Sequence, residues 1–338
     1  MKTLIEDHQL DTPLLLTLLL LALMLLAELF GAPGLQRTLT ETLIRLVVVI
    51  GLYLFIGNSG VMSFGHVAFM GVGAYVAAWT TMDPAIKQFV LPGLPALLQS
   101  ASMHWLLATL LAGLFTSLVG LLCGALILRL TGIAASIASF ALLAIFNVVY
   151  SNWDSVTAGT SSIVGIPTTV QLWQAGAFAM GAIVLAHFYS ISRFGLALRS
   201  VREEPVASLS CGVNAYRQLL IAFVLSTLVC GVGGALDAQY LGVVNPDAYY
   251  LGRTFFCLAM LVVGGVSTLS GAVTGVLALS ALIELLNRLE AGLHMGAYTL
   301  SIPTGAQEIV IGVLMIVVLI VRPKGLVGRR EWRWKHAA

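Results

Sequence analysis

Charge is what this chain has least of. Of its 338 residues only 9% are Asp, Glu, Lys or Arg, while 59% are hydrophobic. A soluble domain keeps roughly 25% of its residues charged to cover its surface, so a soluble globular fold is excluded. A bilayer is the solvent that accepts this much apolar surface. Cysteine is sparse as well. Cys123, Cys211, Cys230 and Cys257 show no pair at metal-ligand or redox spacing and read as small packing residues. Also missing are a glycine-rich phosphate loop with its lysine, a Gly-x-Ser-x-Gly elbow and a His-Glu-x-x-His motif. No catalytic residue, no metal ligand, no cofactor and no nucleic-acid partner is therefore assigned to this chain.

Acidic groups inside the apolar runs are few: Glu28, Asp237, Glu284 and Glu308, each near the end of a run. Glu284 and Arg288 are spaced to pair on one helix face. A carrier driven by protons or sodium needs such groups near the membrane midplane. Their scarcity there predicts that energy for any transport arrives from another subunit.

What is present is a series of long apolar runs. At about 20 residues per span, they cover roughly 13–32, 42–57, 62–82, 104–128, 133–150, 174–190, 216–236, 253–269, 271–288 and 304–321. The expected fold is an all-α polytopic helical bundle of about ten transmembrane helices, some of them broken. Met1 to His8 is too acidic for a signal peptide, so Leu14–Leu26 is expected to be a retained span. No polar stretch is long enough for a separate soluble domain. One transmembrane domain over 1–338 is expected, with a cytoplasmic loop at 191–217 and a basic tail at 322–338.

Basic residues orient the spans. With the Arg199 loop inside, both termini are inside. Twelve of the 17 Lys and Arg then lie inside: Lys2, Arg129, Arg193, Arg199, Arg202, Arg217, Arg322, Lys324, Arg329, Arg330, Arg333 and Lys335. Arg37, Arg45, Lys87, Arg253 and Arg288 fall outside or near the outer ends. The outer loops are then 83–103 and 151–173, with short ones near 242–252 and 289–303. Pro84, Pro92, Gly93 and Pro95 break the first of these. Arg322-Pro-Lys-Gly ends the last span, and Trp332 and Trp334 suit an interfacial tail.

Two glycine-rich breaks interrupt the runs. Gly57 to Tyr75 combines Gly57, Asn58, Ser59, Gly60, Ser63, Gly65 and His66 with small residues. Non-helical backbone survives at membrane depth only when buried in protein or lining water. The segment therefore either lines a pathway or packs helices closely. His66 reads as a polar anchor between helices or as a proton-responsive group. Val263 to Gly275, with Gly264, Gly265, Ser267 and Gly271, has the same chemistry and is nominated as a second break. The hydroxyl-rich segment Ser155 to Pro167 is either an ordered external turn or a contact for a polar solute or binding protein.

One polar segment stands apart, Arg199 to Asn214. Pro205 suits the first turn of a short helix, Glu203 and Glu204 its positive end, and Gly212 a left-handed cap. About two helical turns at the cytoplasmic face are expected. Here the chain resembles the permease subunits, of the M type, of ATP-binding-cassette importers for branched-chain amino acids. The match runs through Arg202, Glu203, Glu204, Ala207, Gly212 and Asn214, and departs at Ser208, where an alanine is usual, and at Val213, where an isoleucine is usual. Gly57–Tyr75, Thr157–Pro167, Gly233–Pro246, Gly264–Gly275, Gly305-Ala-Gln-Glu-Ile and Arg322-Pro-Lys-Gly-Leu extend it over about 42–328.

The resemblance implies that Arg199 to Gly212 forms the coupling helix read by cytoplasmic ATPase subunits, which would use ATP. It also implies a second, homologous permease, a periplasmic solute-binding protein, and a bacterial inner-membrane location. Branched-chain amino acids are the implied cargo, and related permeases handle other amino acids, amides, urea or small organic acids. A secondary carrier or channel working alone, and a membrane-embedded enzyme, are the alternatives.

Overall fold

The computed structural model describes residues 11–31, 33–130, 132–290, 293–295, 298–300, 306–322, 325–328 and 331. Lys2, Gly305, Lys324, Arg329, Arg330, Trp332, Arg333, Trp334, Lys335 and the side chains of Gln307 and Glu308, named above, lie outside the description.

Apolar runs fold as helices because a backbone in lipid must satisfy its own polar groups. The first group is α1 (Asp11–Leu29), α2 (Pro33–Leu52), α3 (His66–Thr81), α4 (Pro84–Val90) and α5 (Ala96–Ser100). Next come α6 (Trp105–Ile127), α7 (Ile133–Asn152), α8 (Asp154–Thr157), α9 (Leu172–Ile191) and α10 (Arg193–Glu203). The last are α11 (Pro205–Ser210), α12 (Ala215–Leu241), α13 (Leu251–Gly264), α14 (Leu269–Glu290) and α15 (Ala306–Val321). Two short antiparallel pairs, Ile163–Val164 with Val243–Val244 and Leu293–Met295 with Tyr298–Leu300, are the strands among the described residues. Each of the ten expected windows holds a helix. Seven helices among the described residues are long and apolar enough to cross a membrane. The other three, α3, α13 and α15, have 16, 14 and 16 residues.

The second window needs correction. Its helix starts at Pro33 and runs on through a π-turn, Tyr53–Gly57, so the span is 25 residues long. Gln36 to Glu41 had the polarity of a loop, but their groups are satisfied laterally. Arg37 and Arg45 lie 3.5 and 3.2 Å from the Glu41 carboxylate. Thr38 donates to Glu284 at 3.0 Å, and Glu284 also pairs with Arg288 at 2.7 Å, as its spacing predicts. Arg45 therefore lies within the helix, twelve residues from Pro33 and twelve from Gly57, and not at its start.

Helix α12 is the axis of the bundle, packed along α2, α3 and α6. Glycine makes these approaches possible. A Cβ on Gly73 would strike the Gly231 carbonyl, and one on Gly234 would strike the Met70 carbonyl. Hydrogen bonds add to this packing. Ser226 donates to the Gly51 carbonyl at 2.6 Å, and Gln239 accepts from Thr109 at 3.1 Å.

The expected loop 83–103 contains α4 and α5, because proline is well suited to a helix start. Pro84 opens α4 while Asp83 accepts from the Ala85 amide at 2.8 Å, and Pro95 precedes α5. Buried Lys87 donates to the carbonyls of Trp79 (2.7 Å), Leu98 (3.0 Å) and Ala101, closing this segment over α3. Burial draws its pKa down, and Asp83 opposes that. In the Ser155–Pro167 segment the Thr157 hydroxyl turns inward to the Tyr150 carbonyl at 2.7 Å.

Forcing a side chain into the axis overpacks it. Gly234→Leu is expected to destabilise the bundle by about 3 kcal/mol or more, lowering its thermal unfolding midpoint in detergent. Gly181→Leu, with nothing within 4 Å of the new Cβ, should leave that midpoint unchanged.

Candidate functional site

The Arg199 loop folds as two helices. Ser192 caps α10 by accepting from the Gly195 amide at 3.2 Å. Helix α10 buries Leu198 and leaves Leu196 outside. The backbone of Glu204 then turns extended, and Pro205 begins α11. Gly212 ends that turn with φ +79°, a conformation glycine adopts without a Cβ penalty. Asn214 caps α12 through the Arg217 amide at 3.1 Å. The proline start and glycine end expected from the sequence are thus present.

The two arginines of α10 reach into the first break. Arg199 Nε donates to Asn58 Oδ1 at 2.9 Å, and Arg202 donates to the Gly57 carbonyl at 2.7 Å. Asn58 is fully buried and donates its own amide to the Leu54 carbonyl at 2.9 Å. The cause lies in the chain. A π-turn followed by Gly60, at φ +72°, leaves carbonyls at the end of α2 without helical partners, and the guanidinium groups supply them. Charge-assisted bonds of this kind contribute about 1.5–3 kcal/mol each. Arg202 also lies across Gly60, where an added Cβ would come within 3.0 Å of its Cγ.

The second break meets the same place. A cavity of about 310 Å³ is lined by Arg199, Arg202, Glu203 and Ser267. Gly265 bends the chain at φ +130°, and Gly264 lies so close to Gly271 that a Cβ would strike the Gly271 carbonyl. The segment after α15 closes this turn. The amides of Leu326 and Val327 donate to the carbonyls of Val263 (2.9 Å) and Gly264 (3.2 Å). Glu331 accepts from the Leu269 amide at 2.7 Å, the Ser270 amide at 3.1 Å and the Ser270 hydroxyl at 2.8 Å. A carboxylate at a helix start meets unpaired amides and the positive end of the dipole. Sequence reading missed Glu331, because its partner amides lie some sixty residues away and carry no side-chain signal.

The residues named in advance therefore divide. Asn58, Gly60, Arg199, Arg202, Glu203 and Ser267 come together at this end of the bundle, with Gly264, Gly265 and Gly271 forming the adjoining turn. Ser59 is nearly enclosed there, its Oγ accepting from the Val61 amide at 3.1 Å. Ser63 and His66 lie deeper. Their Oγ and Nδ1 atoms are 2.8 Å apart, and the imidazole is fully buried among Phe55 and Phe223. Glu203, Glu204, Ala207 and Gly212 face outward.

Helix α11 presents an apolar exterior: Val206 is 71% and Leu209 60% exposed, beside exposed Ala207. Ser208 points inward, and its hydroxyl donates to the Pro205 carbonyl at 2.9 Å. The departure from alanine thus leaves the outer face unaltered. The short helix with the apolar outer face thus directly follows α10, whose two arginines are bonded to the end of a long buried helix.

The family described as branched-chain amino acid transport system, permease component, matches residues 34–319. The high-affinity branched-chain amino acid transport system permease protein LivM of Salmonella typhimurium is 24% identical over 321 residues, covering 85% of this chain and 68% of LivM. LivH of Escherichia coli K12, from a system of the same description, is 30% identical over 167 residues, 48% of this chain and 49% of LivH. The galactose/methyl galactoside import permease protein MglC of Escherichia coli K12 is 27% identical over 269 residues, 72% of this chain and 76% of MglC. No solved structure matches the chain at a significant level.

Two outcomes test this geometry. A double-mutant cycle of Asn58→Ala and Arg199→Gln, read by chemical unfolding, should give a coupling energy of about 1–2 kcal/mol. Glu331→Gln should speed hydrogen exchange at the Leu269 and Ser270 amides about tenfold, since about 1.4 kcal/mol of capping corresponds to that factor.

Proposed function

The chain belongs to the family of branched-chain amino acid transport system permease components, which makes it a transmembrane permease subunit of an ATP-driven importer, and we propose that it passes branched-chain or related amino acids across the bacterial inner membrane. Energy comes from separate ATP-binding-cassette subunits that dock on α11. The chain itself binds no ATP and catalyses nothing. A second permease of the same family completes the pathway, and a periplasmic solute-binding protein delivers the cargo. The Arg199 end faces the cytoplasm, in keeping with the split of basic residues.

The observation that carries this reading is the pairing of an exposed apolar α11 with the Arg199–Asn58 and Arg202–Gly57 bonds. An exposed apolar helix is costly in water unless a partner covers it, and interfaces surround an apolar core with a polar, charged rim. Glu203 and Glu204 supply that charge beside α11. The bonds to Gly57 and Asn58 give a push on α11 a route into α2.

Val206→Asp with Leu209→Asp should lower ATP-dependent uptake at least tenfold in proteoliposomes holding the assembled transporter, while the permease still inserts. Gly212→Leu, or Glu203→Lys with Glu204→Lys, should do the same. Undiminished uptake in all three variants would overturn the docking role of α11.

A further inference from the structure

A second cavity, of about 280 Å³, lies away from the Arg199 end, between α2 and the start of α13. Arg45, Asp247 and Arg253 line it together with apolar Val48, Phe256 and Met260. Its depth follows from two features. Arg45 is twelve residues into its helix from Pro33. The 3-10 turn Pro246–Tyr249 folds back against α3 and α7, and Tyr249 packs on Gly71. Helix α13, 14 residues long, therefore begins inside the bundle. Helices that start at membrane depth are where transporters hold solutes.

The charges in its wall are arranged in a particular way. Arg253 donates to Asp237 at 2.7 Å, and Tyr249 donates to the same carboxylate oxygen at 2.9 Å. That pair is neutral and fixed, with Tyr249 under the Arg253 guanidinium, 5.3 Å from it. Arg45 shares the single Glu41 carboxylate with Arg37, so it has donors to spare, and its side chain is 33% exposed. Asp247, exposed, is the anion of the same lining. The charged residues of the lining are Arg45, Arg253 and Asp247, and the two arginines are each offset by a carboxylate beside it, Glu41 (shared with Arg37) and Asp237. An ion of one sign would pair with only one of Arg45 and Asp247 and meet the other as a like charge. A sugar, with no ionised end, would gain nothing from the separated charges. A molecule of zero net charge carrying both signs, with an apolar flank, fits all three features.

We propose that this cavity is a binding site for the zwitterionic end of an apolar α-amino acid, with Arg45 taking the carboxylate, Asp247 the ammonium, and Val48, Phe256 and Met260 the side chain. The assignment rests on the importer reading above and adds to it the site of contact within the membrane. Asp237, Tyr249 and Arg253 are positioning residues that hold the wall in place.

The test uses the assembled transporter in nanodiscs without its binding protein, measuring retention of L-leucine, leucinamide and 4-methylpentanoate. L-leucine should be retained at least tenfold better than either analogue. Asp247→Asn should lower leucine retention at least tenfold and abolish its advantage over 4-methylpentanoate. Arg45→Gln should do so against leucinamide, while Arg45→Lys and Asp247→Glu keep a preference for leucine. Unaltered leucine retention in the variants, equal loss for all three probes, or no retention by the wild type would overturn the site. ATP-driven uptake by the same wild-type preparation, with its binding protein, separates the two ideas. Absent uptake sinks the importer reading, whereas normal uptake alongside any of those results sinks the site alone.

Discussion

Backbone that leaves the helix at membrane depth must find partners, and here it finds them in two arginines. Gly57 and Asn58 end α2 in a π-turn that strands polar groups, and Arg202 and Arg199 satisfy them from a neighbouring helix at 2.7 and 2.9 Å. Most other features of this end depend on that exchange. Because the arginines are fixed, α10 lies against the bundle. Because α10 is fixed, α11 is held outward with its apolar face uncovered. Losing the bonds would leave the buried Asn58 side chain and Gly57 carbonyl unsatisfied, which is why the arrangement acts as one body.

The same helix that carries the bonds also carries Arg45. From Gly57 to Arg45 is twelve residues, about 18 Å at the rise of an α-helix. Helix α2 is buried over nearly all of that length, among α12, α9 and α14. Under the proposed function, a displacement of α11 reaches the polar cavity through this rod. The glycine contacts of α12 with α3 keep the surroundings close-packed, so a shift of α2 is passed on and not absorbed. At the second break, Glu331 and the Leu326 and Val327 amides hold α13 and α14 in a tight hairpin beside the same loop.

Much of this was legible in the residues. Apolar length marked ten helices, and Pro205 and Gly212 marked a short helix by chemistry that acts within a few residues. The breaks were visible as glycine clusters, though not that the Arg199 loop would plug the first of them. Local patterns fail where satisfaction comes from far away. Gln36 to Glu41 lay outside the apolar window, although Glu41 is paired by Arg37 and Arg45 within the helix; the bond of Thr38 to Glu284, on another helix, has no local signal. That hid the cavity that Arg45 lines. Asp247 sat in what reads as a short outer turn, with nothing local to show that the turn folds inward onto Gly71. His66, by contrast, behaves as its neighbours suggest, enclosed by aromatic rings and bonded to Ser63.

The central claim is that the Arg199 loop and the first break move together. Spin labels on exposed Cys211 and on Met62→Cys, with Cys123 replaced by serine, report the distance between them. Measured by electron–electron double resonance in the assembled transporter, that distance should be the same without nucleotide and with ATP trapped. It should broaden when Arg199 and Arg202 are both changed to glutamine. A wild-type distance that changes with nucleotide, or a distribution indifferent to loss of both arginines, would contradict the account.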